Sequence, residues 1–121
     1  MEHVEDNLRI FKDAEPGCMT AEENALIDAV IKAYKARIKT GCTGCEYCMP
    51  CPAGVNIPGN LQAWDNSSLY DNPQVLKDRY ARLCKEEKDA TQCIECGACE
   101  EQCPQHIHII ERLKEVTAAA Q

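Results

Sequence analysis

The sequence is short of basic residues and of long apolar runs, and each shortage narrows the possible functions. Its 121 residues include 13 Lys and Arg against 20 Asp and Glu, a net charge of −7. Because nucleic acid requires a basic face for its phosphates, no nucleic-acid partner is expected. No apolar run reaches membrane-spanning length, and the acidic N-terminal residues 1–6 lack the apolar stretch of a signal peptide. We therefore expect a cytoplasmic protein that binds a positively charged protein partner.

Strand patterns are missing as well, because β-branched and polar residues nowhere alternate over five positions. Residues 1–15 predict a short polar helix with a narrow apolar face. Thr20 and Glu23 predict a capping box at the start of a second helix, over 21–39. The predicted apolar face of the first helix comprises Val4, Leu8 and Phe11 (or Ile10), and the predicted buried stripe of the second comprises Leu26, Val30, Ala33 or Tyr34, and Arg37 or Ile38.

Three further helices follow in the predicted order. A short one opens at Pro58-Gly59, and a loop follows at residues 66–68. Asn72 and Pro73 predict an N-cap and first position for a helix over 73–88. A last helix is predicted over 106–116, with frayed residues 117–121. The buried positions predicted for these helices are Leu61, Ala63, Trp64, Val75 or Leu76, Tyr80, Leu83 or Cys84, Ile107, Ile110 and Leu113.

What the sequence does contain is ten cysteines, eight of them in two runs. The second run, from Cys93 to Pro104, has the spacing C-x2-C-x2-C-x3-C-P. That spacing is typical of bacterial ferredoxins, where it binds a cubane iron–sulfur cluster and its fourth cysteine serves the other cluster. Gly97 would let the backbone pass close to the cluster. The first run, from Cys42 to Pro52, repeats the pattern, but its last gap holds two residues, Met49 and Pro50.

The rule that the fourth cysteine crosses over predicts two 4Fe–4S clusters and their ligands. The first ligand set is Cys42, Cys45, Cys48 and Cys103, and the second is Cys93, Cys96, Cys99 and Cys51. Since the crossing joins both halves of the chain, metal binding would also supply folding energy. The 41 residues between Cys51 and Cys93 are enough for two helices. Together with the missing strands, this predicts an all-α fold similar to the α-helical ferredoxins, with cluster loops between helices.

Other interpretations of these residues remain open. Paired C-x2-C units also bind structural zinc, and disulfides are a further alternative. Cys18 and Cys84 lie outside both runs and are expected to be buried as small apolar residues. For His106, His108, Tyr47 and Trp64, packing or capping competes with a role at a cluster. The acidic pairs Glu86-Glu87 and Glu100-Glu101 could act as general acid and base, but a solvated acidic face is expected.

The two runs with their flanks, residues 42–58 (CTGCEYCMPCPAGVNIP) and 93–107 (CIECGACEEQCPQHI), resemble the C-terminal iron–sulfur extension of a group of aldo/keto reductases. The combination of Tyr47, Pro50 and the two-residue gap carries this resemblance, which covers about residues 1–118. It implies that residues 1–19 correspond to the end of a catalytic barrel and a linker. Residues 20–121 would then form the two-cluster ferredoxin-like domain.

The catalytic part of that family is a barrel of about 250 residues, which a chain of 121 residues cannot contain. No residue of this chain is therefore expected to be catalytic, and the chain should not reduce a carbonyl by itself. We expect an electron-transfer domain that relays single electrons between a redox protein and an oxidoreductase domain or subunit. Two other hypotheses remain: a docking module in which metal only stabilises the fold, and an enzyme with one iron open to substrate.

Overall fold

The computed structural model describes residues 1–12 and 14–121, and in this part of the chain it is all-helical, as predicted. Six α-helices follow one another: α1 (Glu2–Phe11), α2 (Ala21–Arg37), α3 (Ile57–Leu69), α4 (Pro73–Lys85), α5 (Ala98–Glu101) and α6 (Ile109–Ala120). A 3₁₀ turn spans Ala90–Gln92. Of the helices described, none has both the length and the apolar character needed to cross a membrane. The chain divides into two compact units, Met1–Ala33 and Tyr34–Gln121.

The capping box at the start of α2 is confirmed. The Thr20 backbone N–H donates to the Glu23 carboxylate over 2.7 Å, and the Glu23 N–H donates back to the Thr20 hydroxyl over 3.2 Å. The hydrogen bonds that the Thr20 N–H and hydroxyl donate to the carboxylate lower the pKa of Glu23 below its ordinary value. The two backbone N–H bonds satisfy two of the donors that every helix N-terminus leaves free.

The predicted buried stripe of α2 is wrong. No residue of α1 or α2 is buried, and the Leu26 side chain is 66% exposed. Both helices are also shorter than predicted, since α1 ends at Phe11 and α2 at Arg37. Helical periodicity identifies an apolar face, but it carries no information on whether another element covers that face.

The second unit contains the core, which α3, α4 and α6 build together. α3 packs against both α4 and α6, and α4 also contacts α6. The Tyr80 hydroxyl on α4 lies 3.0 Å from the Thr117 hydroxyl on α6. The buried apolar residues are Val55, Ile57, Leu61, Ala63, Leu76, Ala90, Ile109, Leu113 and Val116. Six of the ten cysteines pack against this cluster, so the core borders both cysteine runs: Cys42, Cys48, Cys51, Cys93, Cys99 and Cys103.

The prediction for α4 is confirmed at its start, where the Asn72 side chain accepts the Gln74 N–H and Pro73 occupies the first turn. The loop predicted at residues 66–68 is wrong, because α3 continues through it to Leu69. Serine and asparagine favour caps and turns, but Ser67 is buried, and packing outweighs that preference. α4 ends at Lys85, three residues earlier than expected.

The last helix is displaced relative to its prediction. It begins at Ile109, because His106 has a φ of +52° and cannot start a right-handed helix. It continues to Ala120, through the segment predicted to fray, and Val116 is fully buried. Leu113 is buried as predicted, whereas Ile107 and Ile110 are half-buried. Cys84 is exposed on α4, and so is Cys18, so neither is the buried apolar residue that was expected.

Substitution of the core residue Leu61 tests whether the core of the second unit supplies most of the free energy of unfolding. Leu61→Ala removes a fully buried side chain and should lower the free energy of unfolding by about 2–5 kcal/mol. Leu26→Ala on α2 is the matched control, and because Leu26 is exposed it should change stability little. Urea titrations of the reconstituted protein, followed by circular dichroism, measure both. Equal losses in the two variants would contradict the assignment of the core.

Candidate metal centre

Asp65 on α3 fixes the chain as it enters the first cysteine run. Its carboxylate accepts the backbone N–H groups of Lys39, Thr40 and Gly41 over 2.8, 2.7 and 3.1 Å, and the Thr40 hydroxyl over 2.6 Å. The Thr40 hydroxyl in turn accepts the Cys42 N–H over 3.2 Å. One carboxylate therefore sets the position of the first thiol through charge-assisted hydrogen bonds, the strong class of such bonds.

Asp89 likewise fixes the chain as it enters the second cysteine run. Its carboxylate accepts the Thr91 N–H over 3.0 Å and also the Thr91 hydroxyl, and so caps the 3₁₀ turn that leads into Cys93. Burial acts to raise the pKa of Asp89, but the hydrogen bonds from Thr91 and Gln92 outweigh it, and the pKa lies below the ordinary 3.8. Asp89 is therefore a buried, ionised anchor.

The residue before Asp89 ties this lead-in to α3. The Lys88 carbonyl accepts two hydrogen bonds, each of 3.0 Å, from the Asn56 backbone N–H and from the Asn60 side-chain amide. Asn56 follows the first run closely and is also the N-cap of α3. The exit from the first run and the entry to the second are thus fixed at a single acceptor.

The two cysteine loops share positive φ values on both sides of the middle cysteine. In the first loop, Gly44 and Glu46, the residues on either side of Cys45, have φ of +70° and +65°. In the second, Glu95 and Gly97 flank Cys96 with φ of +57° and +80°. Left-handed conformations are uncommon for glutamate, so each loop holds one glutamate in a sparsely populated region beside its middle cysteine. A Cβ at Gly97 would meet no other protein atom, so within the protein φ is the reason for glycine there.

Four thiols from both runs line one cavity. Its walls include the predicted first ligand set, together with Ile57, Pro58 and Leu61 of α3 and with Ile107 and Ile109. The space between these residues that a water-sized sphere can enter is about 20 Å³. The four cysteines are Cys42, Cys45, Cys48 and Cys103.

The second run lies against the same core. Cys93 lines another cavity with Glu95, Leu113 and Lys114. Burial raises the pKa of Cys99 to about 11, and the charges of Glu100, Cys93 and Cys48 act in the same direction. Cys48 of the first run is therefore within electrostatic range of Cys99. Cys51 is half-buried against the core, and Cys96 is exposed.

Burial also raises the pKa of Cys42 and of Cys48. As free thiols these cysteines would keep their protons at neutral pH. Since metal ligands are thiolates, a cluster held by these cysteines would have to displace those protons. The apolar wall formed by α3 solvates a lone thiolate poorly, so these thiols would lose their protons only together with the binding of a cation.

The donor set fits a cubane cluster. Within the described residues, no three His, Cys, Asp or Glu side chains converge closely enough to hold a single metal ion. A cubane is wider than an ion and takes one thiolate at each of four irons, so it requires thiols spread around a cavity. The ring of four cysteines matches this requirement in number, in chemistry and in its apolar surroundings.

A family comparison agrees with this chemistry. Residues 41–108 match the family model of the 4Fe-4S dicluster domain. The chain belongs to the 4Fe-4S dicluster domain family. The match covers more than half of the 121 residues and includes all eight cysteines of the two runs. No significant match is found among curated proteins or among solved structures.

Around the two runs of this dicluster domain, other residues take structural positions. The Glu100 carboxylate accepts the Ile110 N–H over 2.9 Å and thereby caps α6, whereas a solvated acidic side chain was expected there. Trp64 packs against the core, and Tyr47 is exposed. Cys18 and Cys84 stand outside both thiol groups.

Removing the Asp65 carboxylate tests the anchor of the first loop. Asp65→Ala should lower the free energy of unfolding by about 1.5–3 kcal/mol, because several donors lose a charged acceptor. The same variant should lose iron to a chelator faster than the wild type. Asp78→Ala is the control, since the exposed Asp78 carboxylate accepts only from the Gln74 side chain in the described structure. Chelator resistance equal to the wild type would show that the anchor is dispensable.

Asp89→Ala tests the second anchor and should cost about 1–2 kcal/mol through the lost cap. Because folding lowers the pKa of Asp89, its stabilisation is full above the ordinary value of 3.8 and disappears as the pH falls through the lowered folded value. The stability difference from the wild type should therefore stay constant between pH 8 and pH 5 in urea titrations. A difference that shrinks within that range would contradict the assignment. Asp89→Asn, which keeps an acceptor oxygen, should lose less than Asp89→Ala.

Proposed function

We propose that the chain is an electron-transfer domain that carries two 4Fe–4S clusters and relays single electrons to or from an oxidoreductase partner. The cavity that Cys103 shares with three cysteines of the first run carries this proposal. A cubane bound there would supply reversible one-electron storage between its 2+ and 1+ states. The protein's contribution is to present four thiolates, to surround them with apolar residues of α3, and to hold both loops in fixed shapes.

The second ligand set in this proposal is Cys93, Cys96, Cys99 and Cys51. Its support is the positive φ on both sides of Cys45 and of Cys96, and the electrostatic effect of Cys48 on Cys99. In this proposal the two clusters lie side by side, the arrangement that a relay needs. The half-buried position of Cys51 against the core leaves it available as the fourth ligand.

The partner in this proposal is an aldo/keto reductase-type barrel. The sequence resemblance supports it, with residues 1–19 as the end of the barrel and the linker and residues 20–121 as the cluster domain. The apolar residues of α1 and α2, none of them buried, are consistent with attachment to a further domain. We place the protein in the cytoplasm, where reducing conditions keep clustered cysteines available for metal.

The exposed faces of α1 and α2 also support a second candidate, a docking module in which metal only stabilises the fold. The two functions differ in redox activity. A docking module needs only a metal that holds its fold, whereas a relay needs clusters that accept and release electrons.

Iron and acid-labile sulfide analysis of anaerobically reconstituted protein tests the proposal. We expect about eight irons and eight sulfides per chain, and coupled signals from neighbouring clusters in the EPR spectrum after reduction. About four of each would leave one cluster, and we would then reject the set that includes Cys51. Zinc without sulfide would refute electron transfer and leave the docking module.

Cys51→Ala tests the fourth ligand of the second set. Removing a thiolate from one cluster should reduce the iron content by up to about half and change the EPR spectrum, while the first cluster remains. Cys84→Ala is the matched control, because Cys84 is exposed and outside both runs. If Cys51→Ala keeps full iron content and the wild-type reduction potential, Cys51 is not a ligand.

A further inference from the structure

A groove on the second unit has a charge opposite to that of the chain as a whole. It lies between α4 and the first turn of α3, and its lining consists of Gly59, Arg79, Arg82, Leu83 and Glu86. Arg79, Arg82 and Leu83 belong to α4, where spacings of three and four residues place them on one face of the helix, and Glu86 follows as its C-cap. The groove is therefore a continuous feature of that face.

The positive charge of the groove comes from two arginines, Arg79 and Arg82, that form no ion pair with other described residues. Glu86 also lines the groove, but its carboxylate is paired with the Lys88 ammonium at 2.9 Å. Arg79 and Arg82 are exposed, and Leu83, which also lines the groove, is half-buried. Two guanidinium groups beside an apolar residue suit a surface that presents carboxylates.

The groove lies across α3 from the candidate metal centre. Ile57, Pro58 and Leu61 line the cavity with the four thiols, whereas Gly59, in the same turn, lines the groove. A molecule in the groove would thus be separated from the thiol cavity by a single helix, about 10–12 Å across with its side chains. The positive patch therefore lies beside the proposed redox centre.

We propose that the Arg79–Arg82 groove is the docking site of a small acidic electron-carrier protein, whose surface carboxylates pair with the two arginines. This inference rests on the proposed electron-transfer function and names the place and the partner class. On contact, the carrier loses one electron and the chain's cluster gains it, or the reverse, and no covalent bond changes. The net charge of −7 favours a basic partner over most of the surface, as the composition predicts, and repels an acidic carrier there, so the groove is the local exception. The groove is thus an orientation device as well as a binding site.

Salt dependence separates this docking from the effect of net charge. Two acidic proteins that meet at random repel each other, so added salt would strengthen their contact. Docking through the arginines predicts the reverse, since salt screens the local attraction. The affinity of the holoprotein for flavodoxin, used as the acidic probe, should fall as ionic strength rises from about 20 to 200 mM.

A double charge reversal tests the two residues. Arg79→Glu/Arg82→Glu should weaken flavodoxin binding at low salt by about tenfold or more, measured by isothermal titration calorimetry, and should slow electron exchange in stopped flow. Lys77→Glu/Lys85→Glu is the matched control, with the same change in net charge on exposed α4 positions outside the groove lining. It should weaken binding about threefold or less. Iron content and circular dichroism check that both variants fold.

Several results would overturn the docking proposal. These are an affinity that rises with salt, no measurable binding to flavodoxin, and equal losses in both double variants. A dimer of the holoprotein that only the arginine variant dissociates would assign the groove to a second copy of the chain. Reduction of each variant by dithionite, followed by EPR, keeps this test apart from the proposed function. If the clusters reduce normally but the arginine substitutions do not change binding, only the docking proposal is refuted. If the clusters do not reduce, the relay is refuted.

Discussion

The arrangement of the whole second unit depends on the meeting of Cys103 with Cys42, Cys45 and Cys48 in one cavity. These thiols come from opposite ends of the unit, and closing so long a loop costs conformational entropy. The helices between them shorten the path, since α3 forms one wall of the cavity and α6 begins soon after Cys103. Metal would complete this closure, so ligand binding and folding share the same contacts.

Two aspartates fix the backbone at the entry of each cysteine loop, which this closure requires. Asp65 reaches back to the entry of the first loop, and Asp89 organises the entry of the second. Both act on backbone N–H groups, which fixes the direction of the chain as well as its position. The Lys88 carbonyl then joins the two lead-ins through Asn56 and Asn60. The acidic composition of the chain is thus partly structural, with some carboxylates committed to its own backbone.

The sequence predicted those features whose cause is local. The Thr20–Glu23 capping box and the Asn72–Pro73 helix start were predictable because donor and acceptor lie within a few residues. The role of Asp65 was not, because its partners lie 24 to 26 residues away along the chain. Asp89 has its partner Thr91 two residues on, a spacing that would have identified the turn. The exposure of α2 depends on what surrounds it, which periodicity does not encode.

The positive φ values around Cys45 and Cys96 also show a likeness between the two cysteine loops that their residue types at these positions do not show. Glycine precedes the middle cysteine in one loop and follows it in the other, and glutamate takes the remaining place each time. An alignment of residue types counts these positions as mismatches, although φ is positive at all four. The repeat in this chain therefore includes backbone φ as well as cysteine spacing, and a search that compares φ values would detect a likeness between loops that a search of residue types passes over.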